Sequence, residues 1–170
     1  LPDLHKWDDY KLRYEAVKEL GGGPLLTSHH ELDIAIMLMG KVKEVSSFSR
    51  NTRLDIGASD HTVVTLFHQN GRISNIDLNF FYRRYTRRME VSSKENLIIY
   101  EPFSSGLEIS DNEKYTFKNF DFNQTYVDCL DNIFNQKVSE QISILEIDHL
   151  MKVTDACLIS SNANGRIIKV

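Results

Sequence analysis

Cysteine is scarce in this chain: Cys129 and Cys157 are the only two in 170 residues. Both fall in helical patterns, so they read as reduced core residues rather than as a disulfide framework. Long hydrophobic runs are missing too. The longest clearly apolar one, from Ile34 to Met39, is far short of the ~20 residues that span a bilayer. Net charge is small, with 20 Lys and Arg against 24 Asp and Glu, so nothing draws the chain to nucleic acid or to an anionic membrane. No signal-peptide pattern opens it, and a cytoplasmic location is expected. No internal repeat and no low-complexity segment occurs. The chain starts at Leu1 rather than Met, in a polar, aromatic segment that reads as a piece excised from a longer protein.

What is present is globular: 41% hydrophobic and 26% charged residues, in a length that suits one domain over 1–170 with a real core. The stretch that organises it runs from Gly21-Gly22-Gly23 through Pro24 to Gly40. Three glycines give a flexible entry, Pro24 suits the first helical position, and Gly40 can end a helix with positive φ. Between them Leu25, His29, Leu32, Ile36 and Met39 lie on one side and Leu26, His30, Ile34, Met37 and Leu38 on the other. A helix apolar nearly all round is expected to be buried. Thr27, His30, Glu31 and Asp33 then need partners or a use. Ser28 with Glu31 offers a second, capping-box start.

The remaining pattern gives an extended lead-in over residues 1–8 and a helix from Asp9 to Leu20 sharing Tyr10, Tyr14 and Val17 on one face. A strand is expected over Lys41–Ser49, and a polar loop over 50–60. The strongest local signal is a hairpin: residues 61–69 and 72–82 flank Asn70-Gly71, a pair suited to a two-residue turn. In the second strand Ile76, Leu78, Phe80 and Tyr82 share one face, and the opposite face is mixed. Strand character continues through Arg83–Ser92 and returns at Leu97–Tyr100 and Lys114–Phe117. A helix from Asn123 to Gln136 should bury Tyr126, Leu130, Ile133 and Phe134. Another from Ser143 to Ser161, with Glu146 in capping-box position, should bury Ile147, Leu150, Met151, Thr154 and Leu158. Arg166–Val170 closes the chain as a strand. Helices, a block of strands, then helices and a strand predict an α+β fold: a mostly antiparallel open sheet with helices packed on one face.

Chemical motifs are few. His29-His30-Glu31 lacks the second histidine, four residues on, of a zinc-binding helix, so no metal site is expected. The three glycines follow no strand and form no G-x-G-x-x-G, which excludes a dinucleotide fingerprint. No G-x-S-x-G elbow exists. Arg83–Arg88, after Phe80-Phe81-Tyr82, mixes cations with aromatics as single-strand binders do; the acidic balance favours an ordinary strand with paired arginines. His30 is either a satisfied core histidine or a functional one.

Gly21-Gly22-Gly23, Leu25-Leu26, His30, Asp33, Leu38 and Gly40 together resemble the motif that opens the C-terminal domain of the Gfo/Idh/MocA family (glucose–fructose oxidoreductase, inositol dehydrogenase, MocA). Val64–Gly71 is similar to that family's strand, glycine turn and strand. The tail Asp148, Ala156, Ile159-Ser160-Ser161 and Gly165-Arg166-Ile167-Ile168 resembles its final helix and strand. The lead-in Trp7–Tyr14 further resembles a subgroup of bacterial surface-sugar enzymes. The resemblance covers nearly all of the chain.

It implies the substrate-side domain of an oxidoreductase moving hydride between NAD or NADP and a sugar, cyclitol or sugar derivative. The cofactor is bound mainly by an N-terminal Rossmann domain carrying a Glu-Lys-Pro lysine; neither is in this chain, so the fragment alone is expected to be inactive. By the same resemblance His30 contacts the reacting hydroxyl, Asp33 supports it, and the open sheet face builds a homo-oligomer. Tyr10, Arg13, Tyr14 and Thr27 are candidates for gripping substrate. One departure is plain: many members carry an aspartate four residues before the histidine, and here that residue is Leu26. The rival expectation is a non-catalytic α+β dimerisation or scaffold domain.

Overall fold

The computed structural model describes residues 1–3, 5–83, 85–103, 106–109, 113–115, 121–135 and 143–170. Three 3-10 turns, Tyr10–Leu12, Tyr14–Ala16 and Lys18–Leu20, lead to α1 (Pro24–Thr27) and α2 (His30–Met39). Strands β1 (Val42–Arg50), β2 (His61–His68) and β3 (Ile73–Asn79) follow, then β4 (Met89–Ser92), β5 (Leu97–Glu101), β6 (Gly106–Ile109) and β7 (Glu113–Tyr115). Helices α3 (Phe122–Phe134) and α4 (Ile144–Asn162) precede β8 (Ile168–Lys169). The chain divides into two compact units, one of residues 1–82 with 142–170 and one of 83–141. Every described strand pair is antiparallel. The fold is α+β, as expected, with its strands in two four-stranded open sheets.

In the first unit the sheet runs β3-β2-β1-β8. Val45, Leu66 and Ile168 share one row of the register and point to the helices, where Leu25, Leu32, Val42, Val64, Val153, Ala156 and Cys157 complete the core. Small residues on α4 let it lie close on β1. There the Ser160 and Ser161 hydroxyls accept the N–H groups of Ser47 and Ser49, beyond the reach of β8. The opposite face of the sheet exposes Phe48, Val63 and Ile73.

The β2–β3 hairpin forms where the sequence places it, but its loop has three residues rather than two. His68 N–H donates to Arg72 O, and Gly71 N–H to His68 O, with Gly71 at φ 84°. This is a turn closed by a left-handed glycine. The Asn70 amide, donating to Met39 O, ties that loop to the end of α2. Buried His68 makes a second tie: its Nδ1–H donates to Gly40 O and its Nε2 accepts from Ser74 Oγ.

Four expectations are corrected. Residues 9–20 are not one helix, because Arg13 and Val17 are extended and the carbonyls around them turn to distant partners. The helix from Pro24 to Met39 breaks at Ser28, where the His29 ring donates to Leu26 O. It is not buried all round: Leu25 and Leu32 are covered while Met37 and Leu38 stand in solvent. Strand β3 stops at Asn79 instead of continuing: Phe80 N–H still bonds Asp60 O in register, but Tyr82 N–H then donates to Asn79 Oδ1 and turns the chain away. The predicted strand at Lys114–Phe117 is seen as β7 up to Tyr115; Thr116 and Phe117, like Gln136 and Arg84, lie outside the described residues.

The second unit holds the β4-β5-β6-β7 meander and α3. Asp121 caps α3 by accepting from Asn123 N–H. Its apolar stripe was expected to be buried, but Tyr126, Leu130, Ile133 and Phe134 are all exposed, because no described element covers it. Cys129 on the same helix is exposed, against expectation, while Cys157 is buried and its thiol is pushed up to about 12 by that burial. On α4, Thr154 is buried and Leu150 and Leu158 pack on the core, but Ile147 and Met151 are half-exposed. No described helix is long and apolar enough to cross a membrane.

Candidate functional site

The lead-in folds around the glycines. Gly22 N–H donates to Val17 O and Gly23 N–H to Glu15 O. A Cβ at Gly22 would lie 2.6 Å from the carbonyl oxygens of both Tyr14 and Glu15. Only glycine permits that approach, and Gly23, at φ 106°, could hold no ordinary side chain without strain. Gly23 O in turn accepts from Thr27 Oγ1 at 2.9 Å. The turn bearing Arg13, Tyr14 and Glu15 is thereby fastened to the first turn of α1, and α2 follows with His30 and Asp33.

His30 opens α2 with its imidazole 59% exposed and Nε2 3.4 Å from Glu31 Oε1. The ring is open to solvent rather than sealed in an apolar rod. Asp33, one turn on, is half-buried; its N–H donates to His29 O, and its carboxylate makes no hydrogen bond with another described residue. Thr27 donates to Gly23 O and keeps its oxygen lone pairs available. Tyr10 is half-buried and Tyr14 is 53% exposed. Arg13 lies 3.5 Å from Asp8 and 3.8 Å from Glu15. No hydrogen bond among the described residues joins His30 to Thr27, Asp33 or the lead-in.

Two groups not anticipated from the sequence shape this region. Glu15 and His5 are close to nine-tenths covered and 3.7 Å apart, with Glu15 Oε2 and His5 Nε2 lacking any hydrogen-bond partner. Asp60, fully buried, accepts from Thr52 N–H (2.8 Å) and Oγ1 (3.0 Å), Arg53 N–H (2.7 Å) and Leu54 N–H (2.6 Å). Burial opposes its ionisation, yet these donors outweigh it and hold the carboxyl below its ordinary value. The loop so fixed braces the lead-in, with Ala58 N–H donating to Ala16 O and Asp55 pairing with Lys11 at 2.8 Å. An aspartate directly before a strand was the available signal for Asp60. Nothing local marks His5 and Glu15.

No described cluster of histidine, cysteine and carboxylate side chains could hold a metal ion. A nicotinamide cofactor's pyrophosphate does not fit the glycines, since the carbonyl oxygens of Tyr14, Glu15 and Val17 crowd Gly22 where a phosphate would have to approach.

The family model described as the GFO/IDH/MocA C-terminal domain matches residues 4–98. The chain belongs to the Gfo/Idh/MocA family. Solved structures share the fold of this Gfo/Idh/MocA domain. GenD2 from gentamicin A biosynthesis, in complex with NAD, superposes with a TM-score of 0.75 at 15% identity, over 96% of this chain and 52% of that one. Levoglucosan dehydrogenase with NADH and L-sorbose gives 0.78 at 14% identity, over 95% and 54%. The WlbA dehydrogenase from Bordetella pertussis, with NADH and UDP-GlcNAcA, gives 0.70 at 15%, over 96% and 53%. At such identities the likeness is one of fold, and the chain spans about half the length of each. A sequence search among curated proteins finds no match.

Proposed function

We propose that this Gfo/Idh/MocA domain forms the substrate side of an NAD- or NADP-dependent oxidoreductase acting on a sugar, cyclitol or sugar derivative, within a longer parent protein. The observation that carries the reading is the placement of His30. It stands at the opening of α2 with its imidazole in solvent, directly after a glycine-fastened turn rich in hydrogen-bonding side chains. An exposed imidazole can exchange a proton with a substrate hydroxyl at working pH. Thr27, Tyr10, Arg13 and Tyr14 would orient the sugar, and Asp33 would support α2 behind the histidine. The cofactor, which would exchange hydride with the substrate carbon, is assigned to the part of the parent protein beyond these residues. The fragment alone would therefore not turn over.

We assign a homo-oligomer to the bare outer face of the first sheet, where Phe48, Val63 and Ile73 interrupt polar rows. A cytoplasmic location fits this reading, as do a role in surface-sugar synthesis and the lack of a nucleic-acid or membrane partner.

The test is turnover of the parent protein, followed by nicotinamide absorbance across a panel of sugars and cyclitols. His30→Ala should lower kcat about 10²-fold to 10⁴-fold. Unchanged turnover would remove His30 from the chemistry. Elution as a monomer at high micromolar concentration would remove the assembly.

A further inference from the structure

We infer, resting on the sugar site proposed above, that the part of the substrate gripped by the lead-in is uncharged. The site takes a neutral sugar or cyclitol and discriminates against sugar acids and phosphorylated sugars.

The argument starts at Arg13, the sole arginine before Arg50. Its guanidinium is 41% exposed and sits between Asp8 Oδ2 at 3.5 Å and Glu15 Oε2 at 3.8 Å. With the Arg13 guanidinium within ion-pair range of two carboxylates but making no hydrogen bond to another described residue, its charge is balanced while its side-chain N–H donors remain unspent. Balanced charge with free donors suits a hydroxyl, which offers lone pairs and no net charge. A carboxylate or phosphate clamped by the same fork would come within a few ångströms of two carboxylates, and like charges at that range repel.

Glu15 strengthens the effect. It is 13% exposed and Oε2 receives no hydrogen bond, so Arg13 is shared between this carboxylate and that of Asp8, one positive charge against two negative ones. Lys11, a cation of the lead-in along with Lys6 and Lys18, is committed to Asp55 at 2.8 Å. Between Pro24 and Met39 the helices contribute Glu31 and Asp33 and no lysine or arginine. Trp7 and Tyr14, chain neighbours of Asp8 and Arg13, expose 83% and 53% of their surface and offer aromatic faces to the C–H side of a sugar ring.

The test titrates the isotopically labelled full chain with myo-inositol, methyl glucopyranoside, glucuronate and inorganic phosphate, reading the Arg13 Nε–H and the His30 ring by NMR. The neutral pair should perturb Arg13 at least tenfold more tightly than glucuronate or phosphate. Asp8→Asn, at an exposed position, and Glu15→Gln should each narrow that gap at least threefold. Glucuronate or phosphate binding at Arg13 as tightly as the neutral sugars overturns the selectivity and leaves the sugar site standing. A gap that Asp8→Asn does not narrow overturns the electrostatic cause. No perturbation of Arg13 or His30 by any of the four overturns the selectivity together with the site it rests on.

Discussion

Ser160 Oγ accepts the backbone N–H of Ser47 at 2.9 Å and donates to Arg166 O at 2.7 Å. One hydroxyl thus closes two backbone gaps, at the open reach of β1 and at the exit from α4. Ser160→Ala would leave a buried donor and a carbonyl without partners, costing about 1–3 kcal/mol. Urea unfolding should show that loss in the midpoint with the slope unchanged. Ser161→Ala, at a half-buried position with one such bond, should cost less.

Asp60 sets the acid limit of the loop over 51–60. Its folded-state carboxyl lies below the ordinary 3.8. Its stabilising contribution is therefore complete above pH ~4 and is lost as pH falls through the lower folded value. Below pH 4, amide exchange at Thr52, Arg53 and Leu54 should quicken before the core opens. Asp60→Asn should flatten that acid limb while lowering stability at neutral pH.

His149 also loses stability as pH falls, but over a higher window and because its neutral form is the favoured one. Nε2 accepts Val42 N–H at 3.1 Å, which requires the neutral ring. Burial, with Lys41 and Lys152 nearby, lowers its pKa from 6.5 against the weaker pull of Asp148. In the window from 6.5 down to the folded value the unfolded chain binds the proton and the folded one does not. Stability should therefore be full above pH 6.5 and fall as pH drops through that window. His149→Gln should remove this step from the pH profile of thermal unfolding.

Two glycines should respond differently to alanine. At Gly22 the new Cβ would press on backbone carbonyls at 2.6 Å, which cannot move without dismantling the lead-in. A loss of about 2–4 kcal/mol is expected, with the Arg13–Glu15 turn displaced. At Gly71 the Cβ meets nothing within 4 Å and only the φ of 84° resists it. That costs about 1–2 kcal/mol. Paired denaturation curves test the ranking.

Where the deciding forces are local, the sequence could be read directly. Asn70-Gly71 marked the hairpin, and Ser143 with Glu146 marked the start of α4, where both reciprocal capping bonds are present. The lead-in could not be read that way, because Glu15, Val17 and Ala16 give their carbonyls to Gly23, Gly22 and Ala58, and periodicity carries no trace of such pairings. Periodicity likewise announced the apolar stripe of α3 without saying whether anything lies on it. In the candidate site, His30 is drawn from the family resemblance and stands exposed at the opening of α2. His5 and Glu15 were not legible in the sequence, since their meeting depends on a fold of the lead-in that local pattern does not encode.

β1 is an interior strand whose second neighbour, β8, comes from residues 168–169, and whose remaining open bonds are closed by Ser160 and Ser161. During synthesis the β1–β2–β3 meander would leave the ribosome with one flank bare, and that flank would stay bare until all of the chain from Phe80 to Ile168 had emerged. The nascent chain would carry a sticky margin for that whole interval, so rapid translation of the intervening unit, or a chaperone shielding the margin, would govern how much of the protein reaches its native sheet.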